Sequence, residues 1–376
     1  MKRFTICMVL MLSLCGCGVL RQTAYIAVEP HDEDYGFSVD SDTVTVNSYL
    51  SLKNAILNFV EDGIKDGSIR AESYRGNLAD DLEQAVNEVS QLTPLGAFAV
   101  DHMTYDYSKI VSYYEIHINT VFRRSLDEIR VITYVNDLDG VREQLQNAME
   151  HYSSSLFLQI GDYEPFDLED EVQKIYQEHP EFAFEKPDVT MEMYPEMGTQ
   201  RILEIRFSYR YDARQLQECQ KQVGQALDQI SVIYGSSHSE FTNARRFYSR
   251  LGRDSMLSPD DGGATPLTNS VYGLLVEDYA TSYGFAQTYA LLLRSCEMEC
   301  SLITGQKNGE VHSWCLIRVD GEYYYVDPSM AAGAAGTDFF LMGTQELEDN
   351  GYSFWSASDL PVVELPAYLK PIQSME

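Results

Sequence analysis

"VHSWCLIRVDGEYYYVDPS", residues 311–329, decides how the C-terminal part of this chain folds. Two largely apolar runs flank Asp320-Gly321, a dipeptide suited to a two-residue reversal, whose central residues need positive φ. Pairing outward from that turn sets Val319 opposite Glu322, and so Trp314 opposite Asp327. His312 and Trp314 stand two residues apart on one face, which puts Asp327 diagonal to His312 and within side-chain reach. The inference rests on parity: a loop longer or shorter by one residue would put the two on opposite faces. Alone, a His–Asp pair on a strand face reads as a buried, hydrogen-bonded pair.

"DYATSYGFAQTYALLLRSCEMEC", residues 278–300, adds a second reading. From Tyr283 to about Leu293 the residues suit a helix, with Phe285, Tyr289 and Leu292 on one face. Ser282 then sits at the helix N-terminus, where free amides and the helix dipole favour negative charge. A cysteine there would attack as a thiolate; a serine keeps its proton and needs an aligned base. Serine is also a favoured helix cap, contributing about 1 kcal/mol with no chemistry. An imidazole held by a carboxylate and facing that helix start is the arrangement of a nucleophilic site.

"SYGFAQTYALLLRSCEMECSLITG", "HSWCLIRVDGEYYYVDPS" and "DFFLMG" together resemble the three blocks of bacterial transglutaminase-like domains. That family shows Cys-x-Gly-Tyr-Ala opening a helix, His-Ala-Trp-Asn on a strand, then Tyr-x-x-Asp-Pro-Thr. The resemblance covers about residues 213 to 365. It implies a papain-like fold, with a helix packed on an antiparallel sheet. Residue by residue it puts Ser282, His312 and Asp327 on the catalytic triad, with Gly284 and Trp314 in support. The nucleophile position holds serine instead of cysteine. Cys315 faces away from His312, Cys296 lies roughly 20 Å along the helix from Ser282, and Cys300 belongs to the core, so no cysteine substitutes. Two functions follow. Either the domain is catalytically inactive and serves protein or peptide binding or cell-surface organisation, or a Ser282-His312-Asp327 triad makes it a hydrolase or acyltransferase. The first is the leading expectation.

Upstream, "DLEQAVNEVSQLTPLGAFAV" from residue 81 and "DLEDEVQKIYQEHPEFAFEK" from residue 167 share several positions at an offset of 86. The same offset relates "TVTVNSY" at 43 to "IRVITYV" at 129. Each unit reads as strand, helix, strand, helix, strand, strand. The expected class is therefore α+β: two tandem duplicated modules, 43–126 and 127–212, then a transglutaminase-like domain over 213–376. The four histidines of the modules are scattered, so these units are expected to be spacers or recognition modules.

At the N-terminus Lys2 and Arg3 precede a short apolar run ending in "LCGC", residues 14–17, which resembles a bacterial lipobox. Residues 1–17 are expected to be a lipoprotein signal peptide, with Cys17 lipidated and residues 18–42 an acidic tether. The chain is then anchored to the cell membrane by lipid, on its extracytoplasmic face. A net charge of −31 argues against nucleic acid as a partner. The four cysteines after Cys17 do not form a disulfide framework, and no CxxC, HExxH or calcium-loop spacing occurs. No metal or cofactor is expected; the expected partners are the membrane and an extracellular protein or peptide.

Overall fold

The computed structural model describes residues 38–40, 43–234, 239–253, 255–259, 264–331, 339–354 and 363. The signal peptide, Cys17 and most of the tether lie outside the described residues. Among the described residues no helix is long and apolar enough to cross a membrane. The protein is α+β.

The first unit runs β1 (Ser38–Asp40), β2 (Thr43–Val46), α1 (Tyr49–Glu61), β3 (Asp66–Glu72), α2 (Leu78–Asn87), α3 (Pro94–Ala99), β4 (Val100–Ile110) and β5 (Tyr113–Phe122). Its sheet has the order β1-β2-β3-β5-β4, and the β2–β3 pair is parallel because α1 crosses between them. Every second residue of β3 is buried, the period expected of a sheet with one covered face. The second unit runs α4 (Leu126–Arg130), β6 (Thr133–Val135), α5 (Leu138–Glu150), β7 (Ser155–Ile160), α6 (Leu168–Glu178), β8 (Asp188–Tyr194) and β9 (Arg201–Ser208). Its order, β6-β7-β9-β8, repeats that of β2-β3-β5-β4.

Three local expectations are corrected. Residues 38–40 pair with β2 and so belong to a sheet, although they fall within the span read as tether. The run at 129–135 is not one strand: Ser125 and Glu128 close a capping box that makes Leu126–Arg130 helical and leaves only Thr133–Val135 extended. The run from Ala97, expected to open the first of the two closing strands of its unit, instead has Ala97-Phe98 in the last turn of a helix capped by Thr93, with Pro94 in the first turn. The register also drifts. Helix caps Ser48 and Asp137 stand 89 positions apart, whereas Phe98 and Phe184, both fully buried, stand 86 apart. Three residues is nearly one helical turn, so either register presents a similar apolar face.

The units share a core. Phe157 and Ile202 of the second pack into the cluster of Leu52, Ile69 and Phe98 of the first. Across this seam Arg124 lies over the Phe98 ring and bonds buried Glu204 on β9.

The C-terminal unit runs α7 (Ala213–Tyr234), α8 (Glu240–Leu251), β10 (Met256–Leu257), α9 (Val271–Leu275), β11 (Tyr279–Ala280), α10 (Ser282–Arg294), β12 (Cys300–Lys307), β13 (Glu310–Val319) and β14 (Glu322–Val326). A 3-10 turn (Pro328–Ala331), α11 (Thr344–Asp349) and β15 (Tyr352–Phe354) follow. The last four strands form an antiparallel sheet of order β14-β13-β12-β15. Helix α10 lies against β12 and β13 on one side and against α8 and α9 on the other. Its burial therefore extends beyond the single stripe of Phe285, Tyr289 and Leu292 to Ala286, Ala290 and Leu293.

Candidate functional site

The β13–β14 hairpin forms in the expected register, with Val319 opposite Glu322 and Cys315 opposite Val326. Asp320 and Gly321 have φ of 50° and 90°, the left-handed pair that a tight reversal needs. One step beyond the last paired residues, His312 Nε2 donates to Asp327 Oδ2 at 2.7 Å. Asp327 is fully buried and His312 is 8% exposed.

Three side chains not anticipated from the sequence complete the carboxylate's surroundings. Ser329 donates its backbone amide (3.0 Å) and its hydroxyl (2.6 Å) to Oδ1. The Tyr352 hydroxyl donates to Oδ2 at 2.5 Å, and the Lys307 ammonium lies 3.8 Å from the same oxygen. Burial alone would raise the Asp327 carboxyl, but the donors His312, Ser329 and Tyr352 outweigh it and hold the group below the usual carboxylate range. The same contacts act oppositely on their partners: burial and the Asp327 charge push the Tyr352 phenol well up. Burial lowers the Lys307 ammonium, which sits over the faces of Phe339 and Tyr352, 4.2 and 4.6 Å from their centroids. Trp314, fully buried, closes the back of the site edge-on to Tyr352 at 5.1 Å.

Ser282 is the first residue of α10 and not its cap. The cap is Thr281, whose hydroxyl accepts from the amide of Gly284 at 3.2 Å. A Cβ on Gly284 would stand 3.0 Å from Ala280 Cβ and from Ser270 O, so glycine there lets the helix start approach the segment leading into α9. The Ser282 hydroxyl instead reaches the sheet, accepting from the backbone amide of Ser313 at 2.9 Å.

The hairpin explains that bond. On β13 the amide of Arg318 points toward β12, donating to Glu299 O, so odd-numbered amides point toward β14. Continuing the register places Pro328 opposite Ser313, but there the chain turns into the 3-10 segment. The Ser313 amide is thus left beyond the end of the ladder on a residue 2% exposed, and Ser282, itself 1% exposed, satisfies it. Ser282→Ala is therefore expected to lower stability by about 1–3 kcal/mol, the cost of a buried donor without a partner. A denaturation midpoint equal to that of wild type would show that the tie contributes nothing.

The structure pairs two of the three sequence-predicted residues directly and links the third through the backbone. His312 and Asp327 bond each other, and Ser282 bonds the residue after His312. Cys315 points to the opposite side, its thiol donating to Ala286 O at 3.3 Å. Cys219, Cys296, Cys300 and Cys315 are all free thiols. Among the described residues no group of His, Cys, Asp and Glu could hold a metal ion. Two cavities flank the site: one of about 590 Å³ reaches Ser282, and one of about 750 Å³ reaches His312 and Lys307.

No family model and no curated protein matches the sequence. Among solved structures the chain is similar to a TGase, at 10% identity over 64% of this chain and 71% of that one, with a TM-score of 0.28. It is also similar to the periplasmic domain of TgpA from Pseudomonas aeruginosa, at 12% identity over 39% of this chain and 63% of that one, with a TM-score of 0.24. A third likeness is to a putative protease from Parabacteroides distasonis ATCC 8503, at 10% identity over 69% of this chain and 39% of that one, with a TM-score of 0.24. The chain spans less than two thirds of the last two.

Proposed function

We propose that the C-terminal unit is a transglutaminase-like domain that has exchanged acyl chemistry for binding, with Ser282 in place of the nucleophilic cysteine. The observation that carries this reading is the state of the Ser282 oxygen, shielded from solvent and accepting from the Ser313 amide. A nucleophilic oxygen must present a lone pair to its substrate. This oxygen commits a lone pair to the Ser313 amide and so ties the start of α10 to β13. The upstream modules then act as recognition or spacer units, and lipid on Cys17 holds the chain on the outer face of the cell membrane. Replacing Cys17 with serine is expected to move the protein from the membrane to the soluble fraction.

One observation favours the alternative, an active hydrolase or acyltransferase. Asp327, fully buried, engages His312 through Nε2 at 2.7 Å, the carboxylate–imidazole pairing that orients a base in a triad. A serine-reactive fluorophosphonate separates the two. We expect no labelling that depends on Ser282; labelling of wild type that disappears in Ser282→Ala would establish the triad and overturn the binding reading. In Ser282→Cys, recovered thiol-dependent amidase activity would show a cleft that lacks only its nucleophile.

A further inference from the structure

We propose that the cleft beside Ser282 binds an extended peptide through a carboxylate, with Arg210 of the second unit as its anchor. This rests on the reading of the C-terminal unit as a binding domain, and it assigns that domain its ligand chemistry. Tyr176, Glu185, Lys186 and Arg210 of the second unit line the 590 Å³ cleft together with hydroxyl-bearing residues of the α10 start and of β12–β13, among them Thr304 and Ser313, whose hydroxyls bond each other at 3.0 Å and keep lone pairs to accept from a ligand.

The charges among the second-unit residues are not equivalent. Glu185 already accepts the backbone amides of Arg210 (2.7 Å) and Tyr211 (3.1 Å). Lys186 is paired with Glu169 at 3.0 Å. Arg210 is exposed, and among the described residues no carboxylate lies within ion-pair reach of its guanidinium. Among the described residues, then, Arg210 is the cation of this set with no carboxylate in ion-pair reach, and so the one open to an external anion. The overall negative field does not draw an anion in from a distance, but it is screened beyond about 8 Å at physiological salt. Recognition must therefore occur at contact, where a guanidinium fork matches a carboxylate with two parallel bonds.

The far end of the cleft fixes the rest of the ligand. Val311, 47% exposed, borders this cleft and also the 750 Å³ cavity, whose lining includes Leu257, Pro259 and Met330. A chain crossing Val311 from the Arg210 side would present its main-chain amides to the Thr304 and Ser313 hydroxyls and an apolar side chain to the second cavity.

The test uses the full chain and three dansyl peptides read by fluorescence anisotropy. Dansyl-Leu-Ala-Glu-Ala amide carries a side-chain carboxylate, dansyl-Leu-Ala-Gln-Ala free acid a terminal one, and dansyl-Leu-Ala-Gln-Ala amide none. We expect one acidic peptide to bind at least tenfold more tightly than the neutral one, which also identifies the source of the carboxylate. Arg210→Gln should abolish that difference and Arg210→Lys should retain part of it. Equal binding of all three peptides, binding of none, or an Arg210→Gln variant that behaves as wild type would overturn the proposal. Fluorophosphonate labelling reports only on Ser282, so an active serine would end the inert reading and leave these affinities to be judged separately.

Discussion

Asp327→Ala is expected to lower the unfolding free energy by about 3–5 kcal/mol, the range for removing one member of a buried charged pair. The substitution removes from His312 Nε2, the Ser329 amide and hydroxyl, and the Tyr352 hydroxyl the fully buried carboxylate that accepts from them. It also leaves the Lys307 ammonium without its nearest opposite charge. Asp327→Asn preserves the shape and one acceptor oxygen, so its cost should be smaller. The pH dependence has a definite sign. Because the folded carboxyl lies below its ordinary value of about 4, its stabilisation is complete above that value and fades as pH falls through the depressed one. Urea unfolding of wild type and Asp327→Asn should therefore differ most near neutrality and converge in acid. A gap that persists at the lowest pH tolerated by the fold would contradict this account.

Gly305→Val should be nearly as damaging, by about 3 kcal/mol, at the upper end for overpacking because the obstruction is backbone and ring. Gly305 pairs with His312 across β12–β13 and with Phe354 across β12–β15. A Cβ there would come within 2.3 Å of Ser353 O and 2.7 Å of the Trp314 ring. Relief requires β15 to move, and β15 carries Tyr352, so the Asp327 site loosens as well. Loss of stability together with altered near-ultraviolet circular dichroism is the expected result; full wild-type stability would show that the edge strand adapts freely.

The residues differ in how far their roles could be read in advance. The His312–Asp327 bond was legible because a two-residue Asp-Gly reversal fixes parity, and parity fixes which side chains meet. Ser329 was within reach of the same reasoning, since an acid two residues before a serine commonly folds onto that serine's amide. Gly305 gave the usual warning of glycine within a strand, a close approach, without naming the neighbour. Lys307 and Tyr352 gave none: they meet Asp327 only because β12 pairs with β15, and β15 lies at the sheet edge after a long excursion. Thr281 and Ser282 are adjacent hydroxyl residues, and helix propensity cannot say which one caps. The hanging Ser313 amide decides, because it claims the Ser282 oxygen for the sheet. In the modules, the succession of strands and helices was legible from the repeat, while register slipped by nearly one turn because helical faces repeat at that interval.

The serine at the start of α10 has a consequence for chemical durability. A low-pKa thiolate at a helix start is the group that peroxides attack first, and its sulfinic and sulfonic products are not readily reversed. A hydroxyl offers no sulfur to oxidise. Cys219, Cys300 and Cys315 are buried and Cys296 is partly covered. The start of α10, with Ser282 as its first residue, therefore lacks the site at which a reactive thiolate would be oxidised.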